Sequence, residues 1–454
     1  MSASAEPNAN WGEPRWVGAL LYATAATVAV CWPAWPGYMS YDSLLAYEQS
    51  VTGVQTMTWP PLHSYLFWLS RSAGAGPWGL FLVQTFVLFA AAAVAANLVL
   101  RRGWQAAAAL GLFAAAFVAV PPMLGTVMTQ WRDATTASLG LAATAAWLLA
   151  ARSRSAALLG LAAALIGCAV ALRYNAFALF ALIVPIMLWR PYIHGPATGG
   201  VRLFVAGCLA ASLGLAWAST HWRLPDLQRL PAADNLAGIQ EFDLIGISAC
   251  AGRNYLPPAA TDGWPITPAQ IREIYDPRHV QKSFEPHEGV PAVQATDANG
   301  ETAEYWRKVV PANFDCYLTH RLSVFIELMG IAKGAVFYPI HGTIDPNRFH
   351  IALAHPAASR AIAAYVNSRS AEPWRRPALL YLLATIAVVI VVVRRHRLAL
   401  PLVALLGGGL AYPALLFVAA PAADARYIFP SNVFCAFVCS AGLVALLSRD
   451  REKA

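Results

Sequence analysis

Charge is scarce in this chain. Asp, Glu, Lys and Arg make up 12% of it, about half the roughly 25% of a soluble globular domain, while 58% of the residues are hydrophobic. So few charges cannot coat an ordinary water-facing surface, and a bilayer is the expected main solvent. Metal-ligating spacings are missing too: no CxxC or HExxH occurs, which removes the usual sequence signals of structural or hydrolytic zinc. No internal repeat with a period of about 20 to 50 residues is visible. Residues 1–14 are polar and lack the basic segment and small-residue cleavage site of a removable signal peptide, so the first apolar run is expected to stay as an anchor.

Long apolar runs are abundant. Windows of about 20 residues pick out 16–35, 78–100, 104–123, 136–151, 156–172, 176–189, 203–220, 377–393, 399–420 and 429–447. The expected fold class is an all-α polytopic membrane protein of about ten transmembrane helices with one large, mainly helical extracytoplasmic insertion. The division is a cytoplasmic N-terminus (1–15), a membrane part (16–220), the extracytoplasmic segment (221–375), and a second membrane part with a cytoplasmic C-terminus (376–454).

Basic residues support this threading, because cytoplasmic loops collect Lys and Arg. With the N-terminus inside, Arg15, Arg101, Arg102, Arg152, Arg154, Arg190, Arg202, Arg394, Arg395, Arg397, Arg449, Arg451 and Lys453 fall inside. The short outer loops hold Arg71, Arg132, Arg173 and Arg426. The net charge of +8 therefore reflects topology in an inner or plasma membrane, and no nucleic-acid partner is implied, since that needs a basic stripe on a folded soluble surface.

Residues 221–375 hold 16 of the 24 acidic residues. Within them "TPAQIREIYD" begins with a Thr–Pro helix start. The stretch 321–338 is amphipathic, with Phe325, Leu328, Met329 and Phe337 available either to a membrane surface or to the core of their own domain. Of the seven cysteines, Cys250 and Cys316 alone lie in this segment; they are either one disulfide or two free thiols.

Outside that segment and the termini the acids are Asp42, Glu48, Asp133 and Asp424, all placed on the outer side together with Arg132, Arg173 and Arg426. Charge at helix ends near a bilayer is costly unless paired or set in a watery cavity. Three of the loops carry "QWRDAT" (130–135), "LRYNA" (172–176) and "ADARYIFP" (423–430), each joining a cation to an acid or an aromatic ring. One reading is a set of ion pairs, with Asp42 capping a helix that starts near Ser43 and Arg173 or Arg426 snorkelling to head groups. The other is a polar cavity open to the outside. "MTWPPLHSYLFWLSRS" (57–72) adds a Pro–Pro helix break and an aromatic amphipathic helix, with His63 as either a structural histidine or a ligand.

An acid in the first outer loop, the Pro–Pro break, a second-loop Arg–Asp and a late "RY" before the last span together resemble the GT-C superfamily of polyprenyl-phosphate-sugar-dependent glycosyltransferases, a group that includes protein mannosyltransferases and aminoarabinose transferases. The resemblance implies a membrane glycosyltransferase that moves a sugar, with inversion, from a polyprenyl-phosphate-linked donor to a glycan, lipid or protein acceptor, with membrane lipids as further partners. It makes Asp42 the catalytic base and Asp133 a second catalytic carboxylate, and puts Arg173 and Arg426, then Arg132, near the donor phosphate. Tyr41, Trp59, His63, Tyr174 and Tyr427 become substrate-binding candidates.

Two departures bear on cofactors. Tyr41–Asp42 stands where relatives often have adjacent acids, and Trp59 stands where related "HPP" sequences have histidine, so no definite cofactor is assigned and a divalent metal stays open but disfavoured. The rival functions are a lipid-linked sugar flippase or other transporter, whose site belongs near the midplane, and an assembly protein working through 221–375.

Overall fold

Apolar runs become helices wherever no proline or glycine interrupts the hydrogen-bond ladder, and here the interruptions set the architecture. The computed structural model describes residues 15–56, 60–189, 199–221, 229–230, 235–261, 263–279, 281–285, 292–293 and 300–447. Helices α1 (Trp16–Ala34), α2 (Tyr41–Thr52), α3 (Leu62–Ser72), α4 (Gly76–Val99), α5 (Gly103–Ala119), α6 (Pro121–Val127), α7 (Arg132–Ser153) and α8 (Ala156–Leu172) lead to a 3-10 turn at Tyr174–Phe180, α9 (Ile183–Trp189) and α10 (Gly199–His221). The polar middle of the chain contributes α11 (Asn235–Ala251), α12 (Pro268–Ile274), α13 (Gln281–Phe284), α14 (Glu301–Ala312), α15 (Phe314–Leu328) and α16 (Pro356–Arg369). The bundle is completed by α17 (Pro377–Val393), α18 (Ala399–Ala419), a 3-10 turn at Ala425–Ile428 and α19 (Phe429–Leu447).

The ten apolar windows do not all become membrane-length helices. Among the described residues five helices are long and apolar enough to cross a membrane, or six if the bent pair α5 and α6 counts as one. The shorter α8, α17 and the Gly199–Leu215 part of α10 are also apolar. The window 104–123 breaks because Pro121 and Pro122 push Val120 out of helical geometry, to φ −115 and ψ 85, and the chain bends by 95°. The window 176–189 is split into the 3-10 turn and the short α9.

Small residues let the remaining helices and turns approach closely. Gly408 in α18 makes the tightest approach to backbone: a Cβ there would lie 1.8 Å from the Leu179 carbonyl oxygen in the 3-10 turn, so only glycine fits. The packed interior runs through α4, α5, α7, α18 and α19 and buries Trp147, Phe113, Tyr412 and Phe434.

Residues 235–328 build a second core from Leu244, Ile245, Ile247, Ile271, Ile274 and Val310. The Thr–Pro helix start is present as a capping box between Thr267 and Gln270. Cys250 and Cys316 are disulfide-bonded, tying α11 to α15. Of the two alternatives for the apolar residues of 321–338, these four take protein packing: Leu328 and Met329 are buried, at 0% and 7% exposure, Phe325 packs on Phe417, and Phe337 packs on His279. The helix ends at Leu328, and its exposed apolar residues are Phe314, Leu318 and Leu322.

A buried charge joins this core to the bundle. Arg321 places Nε 2.6 Å from Asp243 Oδ1 and donates from a guanidinium nitrogen to the Ala420 carbonyl at the end of α18, at 2.8 Å. Trp306 donates its indole N–H to the other Asp243 oxygen at 2.8 Å. Removing one partner of a buried pair strands the other charge, which costs about 3 to 5 kcal/mol. Asp243→Ala is therefore expected to lower the melting temperature of the purified protein sharply, whereas Glu304→Ala, which removes a solvent-exposed pair with Lys308, leaves it nearly unchanged.

Candidate active site

Three loop segments are woven together at one end of the bundle by main-chain bonds. Tyr38 donates its N–H to Met128 and its carbonyl accepts from Gln130, both at 2.9 Å. On the other side Met39 donates to Thr343 at 3.1 Å and accepts from Asp345 at 2.9 Å. Gly37, at φ +109 and pressed against Gln130 and Phe81, is required by this turn. Side chains lock the frame: Trp131 donates its indole N–H to Ser40 Oγ and Ser43 donates to the Gln130 carbonyl, each at 2.8 Å.

The frame begins α2 at Tyr41, with Ser40 in the cap position and without a side-chain cap bond. Asp42 therefore does not cap this helix. From the first turn its carboxylate reaches Arg426 at 2.6 Å, across 384 residues of sequence. Arg426 also puts Nε 2.9 Å from Asp424 Oδ2, and its guanidinium lies over the Trp131 ring at 4.8 Å and the Tyr427 ring at 5.4 Å. Arg173 pairs with Asp133, which is fully buried at the start of α7, and lies over Tyr427 at 5.0 Å. The Arg426 and Arg173 side chains are 14% and 11% exposed, so neither snorkels to head groups.

A cleft opens beside this cluster, lined by Asp42, Ser43, Ala46, Pro60, His63, Ser64, Trp131, Arg132 and Arg426, with about 340 Å³ of empty space including its open mouth. The structure reorders the sequence-based ranking of cations. Arg426 and Arg132 line the cleft, while Arg173 and Asp133 stand behind it as a buried pair. Tyr427 supports both arginine planes. Tyr41 and Tyr174 are 68% and 49% exposed and are not among the lining residues; Trp59 lies outside the described residues. Sequence reasoning missed Trp131 as a cleft wall, although it sits inside the quoted "QWRDAT" motif. It also missed the 337–345 segment, which no spacing rule connects to residues 38–42.

Burial raises the proton affinity of Asp42, but the fields of Arg426, Arg132 and Arg173 and the hydrogen bond from Arg426 outweigh it, so the carboxyl sits below its ordinary value. Asp424 moves the other way, to about 6, because burial, helped by Asp133 and Asp42, exceeds the pull of Arg426. His63 is pushed down to about 3, first by burial and then by Arg132; it is a neutral imidazole whose Nε2 has no protein partner. Among the described residues no group of three or more His, Cys, Asp or Glu side chains could hold a metal ion.

A second, apolar groove adjoins the cleft. Leu62, Leu66, Leu80, Val83, Val87 and Leu139 line it, with Thr135, Ser138 and Cys168, around about 500 Å³ of empty space including its open side. Helix α3 divides the two: Leu62 faces the groove, while His63 and Ser64 face the cleft.

No protein-family model matches the chain, and no curated protein matches it. Among solved structures it is similar to ArnT from Cupriavidus metallidurans bound to undecaprenyl phosphate, with 14% identity and a TM-score of 0.32 over 95% of this chain and 77% of that one. The apo state of ArnT matches with the same identity and TM-score, over 92% and 77%. Both likenesses are remote.

The Asp424 carboxyl, ordinarily at 3.8 and here at about 6, makes the folded state the tighter proton binder. Its contribution is full below about pH 4 and is lost as pH rises to about 6, by roughly 3 kcal/mol. The melting temperature of the wild type is expected to fall relative to Asp424→Asn between pH 4 and 6.5, and two parallel curves would refute the shift.

Proposed function

We propose that the protein is a membrane glycosyltransferase that takes a sugar from a polyprenyl-phosphate donor at the extracytoplasmic face. The observation that carries this reading is the adjacency of a cation-lined polar cleft and an apolar groove along one short helix, α3. That pair suits a ligand with a phosphate head and a hydrocarbon chain. The groove takes the first prenyl units, and Arg426 and Arg132 meet the phosphate, where a guanidinium fork gives bidentate, charge-assisted bonds.

In the reaction the acceptor oxygen bonds to the anomeric carbon while the sugar–phosphate C–O bond breaks and the lipid phosphate leaves with the electron pair. Negative charge grows on that phosphate, and cations fixed in place before the reaction stabilise it most. Arg426 is fixed by Asp42, Asp424 and two aromatic rings. Asp42, on the cleft wall, receives a hydrogen bond from the entering acceptor hydroxyl, and His63 Nε2 faces a sugar hydroxyl as a neutral partner. Arg173 holds the frame through Asp133 and Tyr427 and does not touch the phosphate.

Purified protein in lipid nanodiscs, supplied with labelled undecaprenyl-phosphate hexoses and pentoses and a bacterial envelope extract as acceptor, tests this. Transfer into lipid-extraction-resistant material is expected. Arg132→Ala is expected to weaken undecaprenyl phosphate binding about tenfold or more, and Asp42→Asn to lower transfer by about 100-fold, without loss of fold. Full transfer by Asp42→Asn would sink its role at the cleft. Movement of the lipid sugar across the bilayer without transfer would replace the reading with a flippase.

A further inference from the structure

The Asp42 carboxylate is a poor proton acceptor in this setting, because Arg426, Arg132 and Arg173 all stabilise its charged form. A general base works best when its pKa lies near the working pH. The structure holds another base next to the cleft, on a segment that the transferase reading leaves without a role. Phe337 accepts a hydrogen bond from the Ala425 N–H at 3.3 Å, one residue from Arg426. Asp345 donates its N–H to Met39 at 2.9 Å, three residues from Asp42. Residues 337–345 thus strap the two walls of the site together.

On that strap the Tyr338 hydroxyl is hydrogen-bonded to His341 Nδ1, and His341 Nε2 lies 3.2 Å from Asp345 Oδ1. Both rings stand against Trp131, at centroid distances of 6.0 Å for Tyr338 and 6.4 Å for His341; Trp131 is the cleft wall that Arg426 covers. Tyr338 is held at φ +46, a left-handed conformation uncommon for a residue with a side chain and frequent at functional sites. The tyrosine is 38% exposed, whereas the His341 side chain is 7% exposed, so the imidazole is sheltered and the tyrosine is partly open.

We propose that Tyr338, His341 and Asp345 form a proton relay, packed on the Trp131 wall of the cleft, that receives the proton of the acceptor hydroxyl. This deepens the transferase reading and rests on it. As the acceptor oxygen bonds to the anomeric carbon, its proton passes to Tyr338 Oη, the proton of Tyr338 passes to His341 Nδ1, and the electron pair of the broken C–O bond leaves on the lipid phosphate. The Asp345 carboxylate, 3.2 Å from Nε2, offsets the imidazolium that forms when Nδ1 accepts. Asp42 then orients the hydroxyl and Arg426, and the relay carries the proton. Tyr338 is the catalytic residue of the three; His341 and Asp345 act through it.

Asp345 faces His341 on its own segment; across from it stand Arg426, and around Tyr338 stand Asp424, Arg426 and Asp42. Burial, with Arg426, lowers His341 from 6.5 against the opposing pull of Asp345 and the Met39 backbone. The transfer assay in nanodiscs, run across pH 4.5 to 8.5 with undecaprenyl-phosphate sugars as donor probes, gives the test. The wild type is expected to lose kcat/KM on an acid limb below 6.5. That limb should vanish in His341→Gln and persist in Asp424→Asn. Tyr338→Phe, which removes one oxygen, should lower kcat by about 100-fold with unchanged undecaprenyl phosphate binding and melting temperature. A His341→Gln enzyme with the wild-type rate and pH profile overturns the relay, as does an acid limb that disappears in Asp424→Asn; in either case transfer lost by Asp42→Asn leaves the transferase reading standing. Absence of transfer by the wild type overturns both.

Discussion

A single guanidinium holds the polar end of this molecule together. Arg426 bridges Asp42 on α2 and Asp424 on its own loop, and lies over Trp131 at the start of α7. A charge this sheltered is costly to remove from water and is tolerated only when it is paired with opposite charge. Once Arg426 is placed, the first loop, the start of α7 and the approach to α19 are placed with it. The cleft exists because these three chain segments converge on one cation without closing over it. The same cation sets the electrostatics: it lowers Asp42 and competes with burial at Asp424, so two neighbouring carboxyls differ in proton affinity.

The arrangement separates holding from contacting. Arg173, Asp133 and Tyr427 form a buried platform behind the cleft, while Arg426, Arg132, Asp42 and His63 face it. A platform of paired ions and aromatic rings holds the cleft-facing Arg426 in one place. The strap from Phe337 to Asp345 has a similar double character, since its backbone bonds fasten two walls while Tyr338 and His341 pack on Trp131.

Proline and glycine explain much of the difference between apolar composition and observed helices. The window 104–123 reads as one span by hydropathy, yet Pro121 and Pro122 turn it by 95°, and that turn delivers Met128 and Gln130 to pair with Tyr38. The 3-10 turn at Tyr174–Phe180 lies against Gly408, where no side chain fits. Hydropathy averages over such positions and does not register them. Amphipathicity was ambiguous in 321–338 for a related reason: an apolar face looks the same to a lipid surface and to a neighbouring helix, and only the presence of Phe417 beside Phe325 settles which one is covered.

What the sequence by itself determined is the class of solvent, the helical build, the sharing of acids between a polar segment and a few loop ends, and the short set of charged residues from which a site could be made. Those follow from composition and from the cost of charge near a bilayer, which are local and additive. Only the tertiary structure decided which of these charges meet. Arg132 rather than Arg173 lines the cleft, Asp42 pairs with Arg426 rather than capping its helix, and Trp131 joins them with Tyr338 and His341 packed on it. Side-chain partners separated by hundreds of residues depend on how several segments are packed at once, and no local pattern encodes that sum.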